Sequence, residues 1–309
     1  MVRKLVRKED IIVSFDLTIL TPTYNRKALL QRLYDSLCKQ TKFNFQWLVI
    51  DDGSTDGTDK FFRNINTGSF SIEYYWKKNG GKHTALNFAH PYIKGELVII
   101  VDSDDYLSID AVETIVRDWE KYKSNLHIAI LSYLKESISQ KKLLSNSFAV
   151  DGYISDHIAY RVNHNIKGDM AEVVKADVFK SYKFPVFENE YMLSEEWLWN
   201  HIAMEYKTVY RKKVIYYCDY IEGGLTKSGR KLLLSNPLGQ MEACKSYFNS
   251  KVNHKMQMKK MLLYDVYGLC SNTKIKNLLI DSGRSIRLLL IMPFALILYF
   301  YWIRKCFHE

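Results

Sequence analysis

The chain has 309 residues, of which 47% are hydrophobic and 25% are charged, a globular balance that excludes a disordered chain. Its five cysteines are an odd number without metal-ligand spacing, so they exclude a disulfide framework and predict structural thiols in a reducing compartment. The net charge of +10 is uneven, because residues 201–309 contain 18 Lys and Arg against 7 Asp and Glu. Such a localised basic field favours nucleic acid, anionic lipid or diphosphate-bearing molecules as partners.

The N-terminal region begins with the charged segment MVRKLVRKED. The first apolar stretch, 11–15, contains Ser14 and is followed by Asp16. This stretch is too short for the apolar region of a signal peptide, and we therefore expect no export.

Short apolar runs then alternate with helical patterns. Strands are predicted at 16–21, 46–50, 72–76 and 97–101, and helices at 27–39, from about Lys82, and at 109–122. This alternation predicts βαβ units and a parallel sheet. Further strands are predicted at 127–134, 171–175 and 207–219, with helices at 176–182 and 194–205 and basic helices from 229 to 276.

Three polar clusters follow predicted strands directly. They are TPTYNR at 21–26, DDGSTD at 51–56 and DSDD at 102–105. In open α/β sheets, ligands bind beyond the carboxyl ends of the strands. We therefore expect the three clusters to converge on one crevice.

The DSDD cluster places three carboxylates, Asp102, Asp104 and Asp105, at the end of the most hydrophobic strand. Carboxylates this close repel one another unless a cation lies between them. Oxygen ligands select hard ions such as Mg²⁺ or Mn²⁺, which would stabilise a diphosphate leaving group. The alternative is a solvated loop that caps a helix.

The other two motifs indicate a nucleotide pocket less directly. In DDGSTD, Gly53 permits a tight turn, and a fixed carboxylate of Asp51 or Asp52 could accept hydrogen bonds from a base or ribose. In NGGKHTALN at 79–87, backbone N–H groups and Lys82 could face a phosphate at a helix start. Alternatively, both are ordinary turns leading into helices.

Taken together and in this order, TPTYNR, VIDDGSTDGT, NGGKHTALN and VDSDD resemble the nucleotide-sugar-binding half of family 2 glycosyltransferases. The resemblance covers residues 16–135 strongly and extends to about residue 235. It implies a GT-A fold, an α/β structure with a Rossmann-like, mixed but mostly parallel sheet. It also implies a catalytic domain at 1–235, divided near residue 135 into donor and acceptor halves, with a basic helical region at 236–309.

The resemblance also assigns site residues. Residues that would line the nucleotide pocket are Thr21, Pro22, Tyr24, Asn25 and Arg26, with Gly53 in the adjoining turn. Asp52 would contact the base, usually uracil in this family. Asn79, Lys82 and Asn87 would flank the ribose and the diphosphate. Asp102 and Asp104 match the family's D-x-D motif; Asp104 is the favoured metal ligand, and Asp105 is an alternative because the register is ambiguous.

Family members carry their catalytic base as an acidic residue at a helix start in the second half. The matching segment is SEEWLWN, where Glu195 is our first candidate and Glu196 the alternative. The implied reaction is a single inverting displacement, in which the base takes a proton from the acceptor hydroxyl. Asp169 is a further acidic candidate with an acceptor-side or structural role. We expect His83 and His201 to be packed or solvent-facing, and IEGGLTKSG at 221–229 to be a mobile or an ordinary surface loop.

The segment 288–303 contains no charged residue and is flanked by basic residues. As a helix it would be about 24 Å long, which is short for a bilayer core of about 30 Å. Basic flanks and aromatic residues near one end favour membrane attachment over a buried terminal helix. Pro293 predicts a kink or a re-entrant shape.

These observations favour a glycosyltransferase on the cytoplasmic side of the membrane that acts on a glycan or lipid-linked acceptor. A nucleotidyltransferase would need a Gly-rich basic loop, which TPTYNR does not supply. A non-catalytic nucleotide-sugar-binding or membrane-associated scaffold is the alternative that the motifs leave open. The apolar tail beside the basic charge favours membrane over nucleic acid, and no nucleic-acid partner is expected.

Overall fold

The computed structural model describes residues 3–7, 14–65, 68–147, 149–219 and 229–307. These residues form two compact units that interleave along the chain. Unit 1 comprises Met1–Asp156, Ile166–Lys183 and Glu205–Asp219, and unit 2 comprises His157–Asn165, Phe184–Met204 and Tyr220–Glu309. Each compact unit is built from several separate stretches of the chain. The domain boundary near residue 235 stays a prediction.

Unit 1 contains one mixed sheet. Its strands are β1 (Arg3–Arg7), β2 (Phe15–Thr23), β3 (Phe45–Asp51), β4 (Ser71–Trp76), β5 (Gly95–Ile100), β6 (Tyr106–Leu107), β7 (Ile128–Ser137), β8 (Tyr153–Ser155), β9 (Met170–Lys175) and β10 (Lys207–Cys218). The spatial order is β1-β4-β3-β2-β5-β9-β7-β10-β6, and β8 pairs with β10. The three longest pairings, β10 with β7, β2 with β3 and β3 with β4, are parallel. The predicted mixed, mostly parallel sheet is therefore confirmed.

Strands β2 to β5 define the edge that matters for function. They run parallel in the order β4-β3-β2-β5, so their carboxyl ends lie together. The chain fills β3 and then β4 on one side of β2 and returns to place β5 on the other side. Such a switch point opens a crevice at the strand ends, where ligands bind in α/β folds.

In the described part of unit 1, five α-helices accompany this sheet. They are α1 (Lys27–Cys38), α2 (Thr58–Asn64), α3 (Lys82–Ala89), α4 (Ala111–Tyr122) and α5 (Ala176–Ser181). The helical spacing of leucines predicted that α1 packs through one face, and Leu30, Leu33 and Leu37 are indeed buried. Because both faces of the central strands are covered, residues such as Trp47 and Ile99 are fully buried, as continuous apolar runs predict.

Polar side chains buried within the sheet are paired across strands. The Thr18 hydroxyl donates to the Gln46 side-chain carbonyl at 2.8 Å, and the Gln46 amide donates to the Glu73 carboxylate at 2.8 Å. Lys94 completes the row with an ion pair to Glu73 at 2.7 Å. Since each buried group has a partner, this polar row fixes the register of β2, β3 and β4 without a desolvation penalty.

Unit 2 is helical. Its helices are α6 (Glu196–Ile202), α7 (Gly229–Leu234), α8 (Pro237–Lys245), α9 (His254–Cys270), α10 (Ile275–Ser282) and α11 (Ser285–Phe307). Asn253 caps α9, because its side-chain oxygen accepts the N–H of Met256 at 2.9 Å. An apolar cluster joins α9, α10 and α11 through residues such as Met261, Leu278 and Ala295. The basic helices predicted from 229 to 276 are therefore confirmed.

One carboxyl group in this helical core has no polar partner among the described residues. Asp265, on α9, is 0% exposed, and neither of its carboxylate oxygens makes a hydrogen bond among the described residues. Burial raises its pKa to about 7, because desolvation disfavours the charged form. Unit 2 therefore contains a buried acid that titrates near neutrality.

Helix α11 has two contrasting faces. Leu288, Ile291 and Ala295 are buried in the unit 2 core, whereas Leu290 and Ile297 are 71% exposed. In the described part of the chain, one helix, Ser285–Cys306, is long and apolar enough to cross a membrane by length and composition alone. Only 28% of its most apolar window is buried, so it is not an ordinary core helix. The helix continues through Pro293 without a re-entrant turn, and the alternative, a kink at Pro293, stays a prediction.

Other sequence-based expectations divide into three groups. The strands and helices predicted between 16 and 219 are present, although α6 is shorter than the predicted helix at 194–205. All five cysteines are free thiols, as predicted. Strand β1 was not predicted. Residues 11–13 of the first apolar stretch and residues 221–228 of the predicted loop lie outside the described residues.

Candidate active site

Backbone hydrogen bonds connect the first two polar loops at the carboxyl edge of the sheet. Asn25, after β2, adopts a left-handed conformation with φ of 51°, which asparagine tolerates better than most residues. Its N–H donates to Ser54 Oγ at 2.8 Å, and its side-chain carbonyl accepts the N–H of Thr55 at 2.8 Å. The N–H of Lys27, at the start of α1, donates to Asp56 at 2.9 Å. TPTYNR and DDGSTD therefore form one connected structure, as predicted.

Asp52 connects the second loop to the glycine-rich segment before α3. Its carboxylate, in a residue only 4% exposed, accepts the N–H of Gly81 at 2.7 Å and that of Gly80 at 3.1 Å. Lys77 donates to the same carboxylate. Burial raises the pKa of Asp52, although Lys77 and the two N–H groups act in the opposite direction. The carboxylate thus organises the loop, and the glycine N–H groups expected to face a phosphate are engaged by Asp52.

Gly53 allows this close approach. Its φ is +94°, a left-handed conformation that side chains disfavour. A Cβ atom here would lie 2.8 Å from the backbone nitrogen of Asn79. Glycine is therefore required both by the turn and by the packing of the 79–82 loop against it.

The third cluster begins at the end of β5 with an ion pair. The Lys82 ammonium lies 2.6 Å from the Asp102 carboxylate, with 23% and 39% of the two side chains exposed. Burial raises the pKa of Asp102, but the charges of Lys82 and Lys135 bring it below its usual value. Burial and the neighbouring Asp102 raise the pKa of Asp104. Asp102 is therefore the carboxylate that the surrounding cations keep ionised.

Asp105 points to a different partner. It is 6% exposed and accepts a hydrogen bond from the Tyr216 hydroxyl at 2.7 Å. The oxygen of that hydroxyl also accepts the N–H of Asp102 at 3.0 Å. Burial, followed by the charge of Asp102, raises the pKa of Asp105 to about 7. Tyr216, on β10, thus holds the DSDD turn at both ends.

Two lysines extend this cluster. The Lys135 ammonium, on β7, lies 4.0 Å from the centroid of the Tyr216 ring. Burial lowers the pKa of Lys135, but Asp102 and Asp169 raise it above its usual value overall. The charges of Lys82 and Lys135 therefore both act on the Asp102 carboxylate. Such an arrangement can receive the negative charge of a diphosphate.

The three carboxylates do not form a closed metal cage. Over the ranges that the structure describes, no group of three or more His, Cys, Asp or Glu side chains is arranged to hold a metal ion. Asp105 is engaged by Tyr216, so its role as a metal ligand stays a prediction. Mg²⁺ and Mn²⁺ sites in nucleotide enzymes commonly use one or two carboxylates plus substrate phosphates. Asp102 and Asp104, both partly exposed at the strand end, fit that smaller ligand set.

The remaining residues predicted for the nucleotide pocket lie in different environments. Thr21 and Pro22 are buried in β2, and the Thr21 hydroxyl accepts the indole N–H of Trp47 at 3.0 Å. Tyr24 is 49% exposed. Arg26, at the start of α1, is partly exposed, and its charge acts on the pKa of Asp104. Asn87, on α3, is also partly exposed. Their contacts with a nucleotide stay predictions.

The candidate base lies at the start of α6, in unit 2. Glu195 is partly exposed, and its backbone carbonyl accepts the N–H of Leu198 at 2.9 Å. Glu196 accepts a hydrogen bond from the Tyr247 hydroxyl at 2.8 Å and lies 3.5 Å from the Lys260 ammonium. Partial burial raises the pKa of Glu196, whose side chain is 54% exposed, but Lys260 and Tyr247 bring it below its usual value. Glu196 therefore anchors α6 within unit 2.

The histidines have structural environments, as expected. His83 is 3% exposed, and burial lowers its pKa to about 4, so it is neutral at physiological pH. The His201 ring lies 4.1 Å from the Trp197 ring, and its Nδ1 is 2.6 Å from the Trp197 carbonyl. Asp169, before β9, is exposed. The charge of Asp169 acts on the pKa of Lys135, and its acceptor-side or structural role stays a prediction.

Three members of the crevice are not predicted from the sequence, namely Lys77, Lys135 and Tyr216. Lys135 interrupts the apolar run ILSYL of β7, and a cation in such a strand is an available signal of a buried anionic partner. Tyr216 lies in a strand more than 100 residues after DSDD, so only the folded structure shows that the two meet. Lys77 is not predicted for a similar reason, because its partner Asp52 lies 25 residues earlier in the chain.

The fold and the crevice define the class as an α/β protein of the GT-A type. A family model described as "Glycosyl transferase family 2" matches residues 18–190, which is more than half of the 309 residues. The chain therefore belongs to glycosyltransferase family 2, and the resemblance found in the motifs is confirmed.

Individual relatives support this assignment. The chain is 24% identical over 238 residues to GalNAc(5)-diNAcBac-PP-undecaprenol beta-1,3-glucosyltransferase of Campylobacter jejuni, covering 74% of this chain and 73% of that protein. Among solved structures, S. aureus TarS 1-349 in complex with UDP-GlcNAc has a TM-score of 0.64 at 17% identity, over 90% of this chain and 84% of that one. Mannosyltransferase PcManGT from Pyrobaculum calidifontis, in complex with GDP-Man and Mn²⁺, has a TM-score of 0.55 at 18% identity, over 94% and 83%. These structural similarities show the fold.

Coverage is smaller for three other curated relatives. The chain spans only 18%, 13% and 11% of their lengths, in matches of 126, 124 and 107 residues. These three proteins are therefore much longer than the region they share with this chain.

Proposed function

We propose that this glycosyltransferase moves a hexosyl or related sugar, with inversion, from a UDP-sugar to a hydroxyl of a glycan or lipid-linked oligosaccharide in polysaccharide biosynthesis. It acts at the cytoplasmic side of the cell membrane. The observation that carries the proposal is the connected carboxyl edge of β2, β3 and β5, where the charges of Lys82 and Lys135 act on Asp102. The donor is suggested by the UDP-GlcNAc complex of TarS, and the acceptor by the undecaprenol-linked substrate in the name of the Campylobacter enzyme.

Different residues of this chain have different roles in the proposed reaction. Asn25, Gly53 and Asp52 hold the loops that line the nucleotide pocket, and Lys82 receives the diphosphate. Asp104 and Asp102 would hold Mn²⁺ or Mg²⁺, and Mn²⁺ accompanies GDP-Man in the PcManGT complex. When bound, such an ion stabilises charge on a departing diphosphate.

We propose Glu195 as the base that takes the proton of the acceptor hydroxyl, with Glu196 as the second candidate. A general base works best with a pKa near the operating pH. The pKa of Glu196 lies below its usual value, and Tyr247 and Lys260 already occupy its carboxylate. These contacts suit a positioning residue for α6, which favours Glu195 over Glu196 as the base.

The test is turnover of a panel of UDP-, GDP- and dTDP-sugars with Mn²⁺, combined with donor binding by calorimetry. Asp104→Ala should abolish turnover and metal-dependent donor binding, whereas Asp177→Ala, a carboxylate 80% exposed on α5, should change neither. Glu195→Gln should lower kcat by about 10²–10⁴-fold and leave donor binding unchanged.

The outcomes separate the parts of the proposal. If Glu196→Gln, and not Glu195→Gln, loses turnover with donor binding intact, the base assignment moves to Glu196. If one donor binds but no acceptor or water consumes it, the chain is a nucleotide-sugar-binding scaffold. If no donor binds with or without metal, the crevice assignment is wrong. The anomeric configuration of the product, read by NMR, tests inversion independently.

A further inference from the structure

The exposed face of α11 is as apolar as its buried face. Six residues that recur at helical spacing form what we call the apolar stripe, namely Ile286, Leu290, Phe294, Ile297, Phe300 and Tyr301. Each is between 56% and 77% exposed. A surface helix of a water-soluble protein normally carries polar residues on this face. A continuous apolar patch of this length marks an interaction surface.

The opposite face of α11 is committed to the protein core. Leu288, Ile291 and Ala295 pack with Met261 and Tyr264 of α9 in one apolar cluster. Helix α9 also carries Lys255 and Lys259 on its surface and the buried Asp265. If α11 crossed a bilayer in this packing, these charged residues of its partner helix would follow it into hydrocarbon, which is strongly unfavourable. The packing therefore argues against a span.

The charges around the stripe identify what covers it. Helix α11 contains no acidic residue, and its three basic residues, Arg287, Arg304 and Lys305, lie at the two ends of the stripe and are exposed. If two copies paired through their stripes in antiparallel fashion, Arg287 of one would approach Arg304 and Lys305 of the other, and like charges would repel. An anionic lipid surface complements the same pattern, because cations at both ends can meet head groups while the stripe enters the acyl boundary.

We infer that α11 lies in the plane of the membrane, with its apolar stripe inserted into an anionic leaflet and its basic ends on the head groups. Phe300 and Tyr301 are aromatic residues of the kind that favour this interfacial depth. The inference rests on the proposed function in one respect, namely that an acceptor carried on lipid requires the enzyme to work at a membrane. An in-plane α11 differs from a transmembrane anchor because it leaves α9 and α10 in water.

Vesicle flotation of the full chain tests the inference directly. Vesicles of phosphatidylglycerol and phosphatidylcholine in equal parts are compared with vesicles of phosphatidylcholine alone. The triple variant Leu290→Gln, Phe294→Gln, Ile297→Gln should lower the partition coefficient by about a hundredfold. The matched control changes three exposed apolar residues of unit 1, Ile109, Leu126 and Leu143, to Gln, and should leave partitioning within about twofold of the wild type.

The basic ends are tested separately. Binding to the anionic vesicles should weaken by about a hundredfold in the triple variant Arg287→Gln, Arg304→Gln, Lys305→Gln. Each cation near such a surface contributes about fivefold to the affinity. The same variant should leave binding to neutral vesicles unchanged. If the charge variant binds both kinds of vesicle as the wild type does, the anionic leaflet is not the partner.

Depth measurements separate an in-plane helix from a span. The variants Ile286→Trp and Ile297→Trp each add one tryptophan, whose fluorescence is obtained by subtracting the wild-type signal. Lipids brominated at different depths should quench this added fluorescence at the same shallow depth in both variants. A deep Ile297→Trp with a shallow Ile286→Trp would overturn the inference in favour of a span. Light scattering without lipid tests the second copy, since a dimer lost in the stripe variant with flotation unchanged would also overturn it.

Donor binding by the same variants, without vesicles, keeps the two proposals distinct. If the stripe variants bind the nucleotide-sugar normally but still float like the wild type, only the membrane inference fails. If the wild type floats as expected but binds no donor, the proposed function fails, while the in-plane attachment stands.

Discussion

The buried Asp265 gives the protein a calculable pH dependence of stability. Its pKa is about 7 in the folded chain, against the usual aspartate pKa of 3.8, which applies when the chain is unfolded. Between these two values the unfolded state has lost the proton and the folded state retains it. Stability from this group is therefore fully present below pH 4 and is lost as the pH rises toward 7. A difference of about three pKa units corresponds to about 4 kcal/mol.

Asp265→Asn isolates this effect, because the amide has a similar shape and does not titrate. The variant should differ from the wild type by less than about 1 kcal/mol at pH 4 and should be more stable by about 4 kcal/mol at pH 8. Urea unfolding at a series of pH values measures the difference. Hydrogen exchange of peptides from 254–270 assigns it to α9.

The control for this series is Asp177→Asn. That carboxylate is 80% exposed, so the variant should stay within about 0.5 kcal/mol of the wild type at every pH. If the stability difference of Asp265→Asn does not change with pH, the buried carboxyl has a polar partner, such as an ordered water, and the desolvation argument is wrong. Because titrating groups elsewhere are common to both chains, they cancel in the comparison.

Three further substitutions test other features of the structure. Gly53→Ala should destabilise unit 1 by about 2–3 kcal/mol in thermal unfolding and weaken donor binding, because of the left-handed φ and the contact with Asn79. Tyr216→Phe should cost about 1–3 kcal/mol and lower donor affinity, because the N–H of Asp102 and the carboxylate of Asp105 lose their shared partner. Pro293→Ala should raise the thermal stability of unit 2 by about 1–3 kcal/mol, because alanine restores an N–H in the middle of α11.

Each of these substitutions has a matched control. Gly283→Ala shares the left-handed backbone of Gly53 but has open space around the new Cβ, so its cost should be smaller. Tyr106→Phe removes a hydroxyl from β6 and should leave donor affinity unchanged. Pro237→Ala changes a proline at the start of α8, where a missing N–H costs little, and should not stabilise the chain. If a test substitution and its matched control have equal effects, the physical reason given for the test substitution is wrong.

Local patterns predicted much of unit 1. The strand and helix spacing between 16 and 219 and the convergence of TPTYNR with DDGSTD follow from rules that act over short distances. The partners of Asp105 and Glu196 could not be predicted in this way. Tyr216 lies 111 residues from Asp105, and Tyr247 lies 51 residues from Glu196. Such pairs depend on tertiary packing, which hydrophobic periodicity does not encode.

Expectations based on residue chemistry alone were less complete. A cluster of three carboxylates suggested one cation among them, but the fold supplies Lys82, Lys135 and the Tyr216 hydroxyl as neutralising partners. Likewise, the glycine N–H groups at 80 and 81 suggested a phosphate site, but Asp52 binds them. Opposite charges and donors from distant segments can satisfy a motif internally, and a sequence pattern does not show whether they do.

The interleaving of unit 2 affects the order in which the chain can fold during synthesis. Strands β2 to β10 are complete once residue 218 has been made. The helix that carries Glu195 and Glu196 is made earlier, yet the groups that anchor it, Tyr247 and Lys260, follow about 50 to 65 residues later. A chain cut near residue 235 to remove the apolar tail would therefore leave this helix without its supports. For biochemical work, replacing residues on the exposed face of α11 is a sounder route to a soluble protein than truncation.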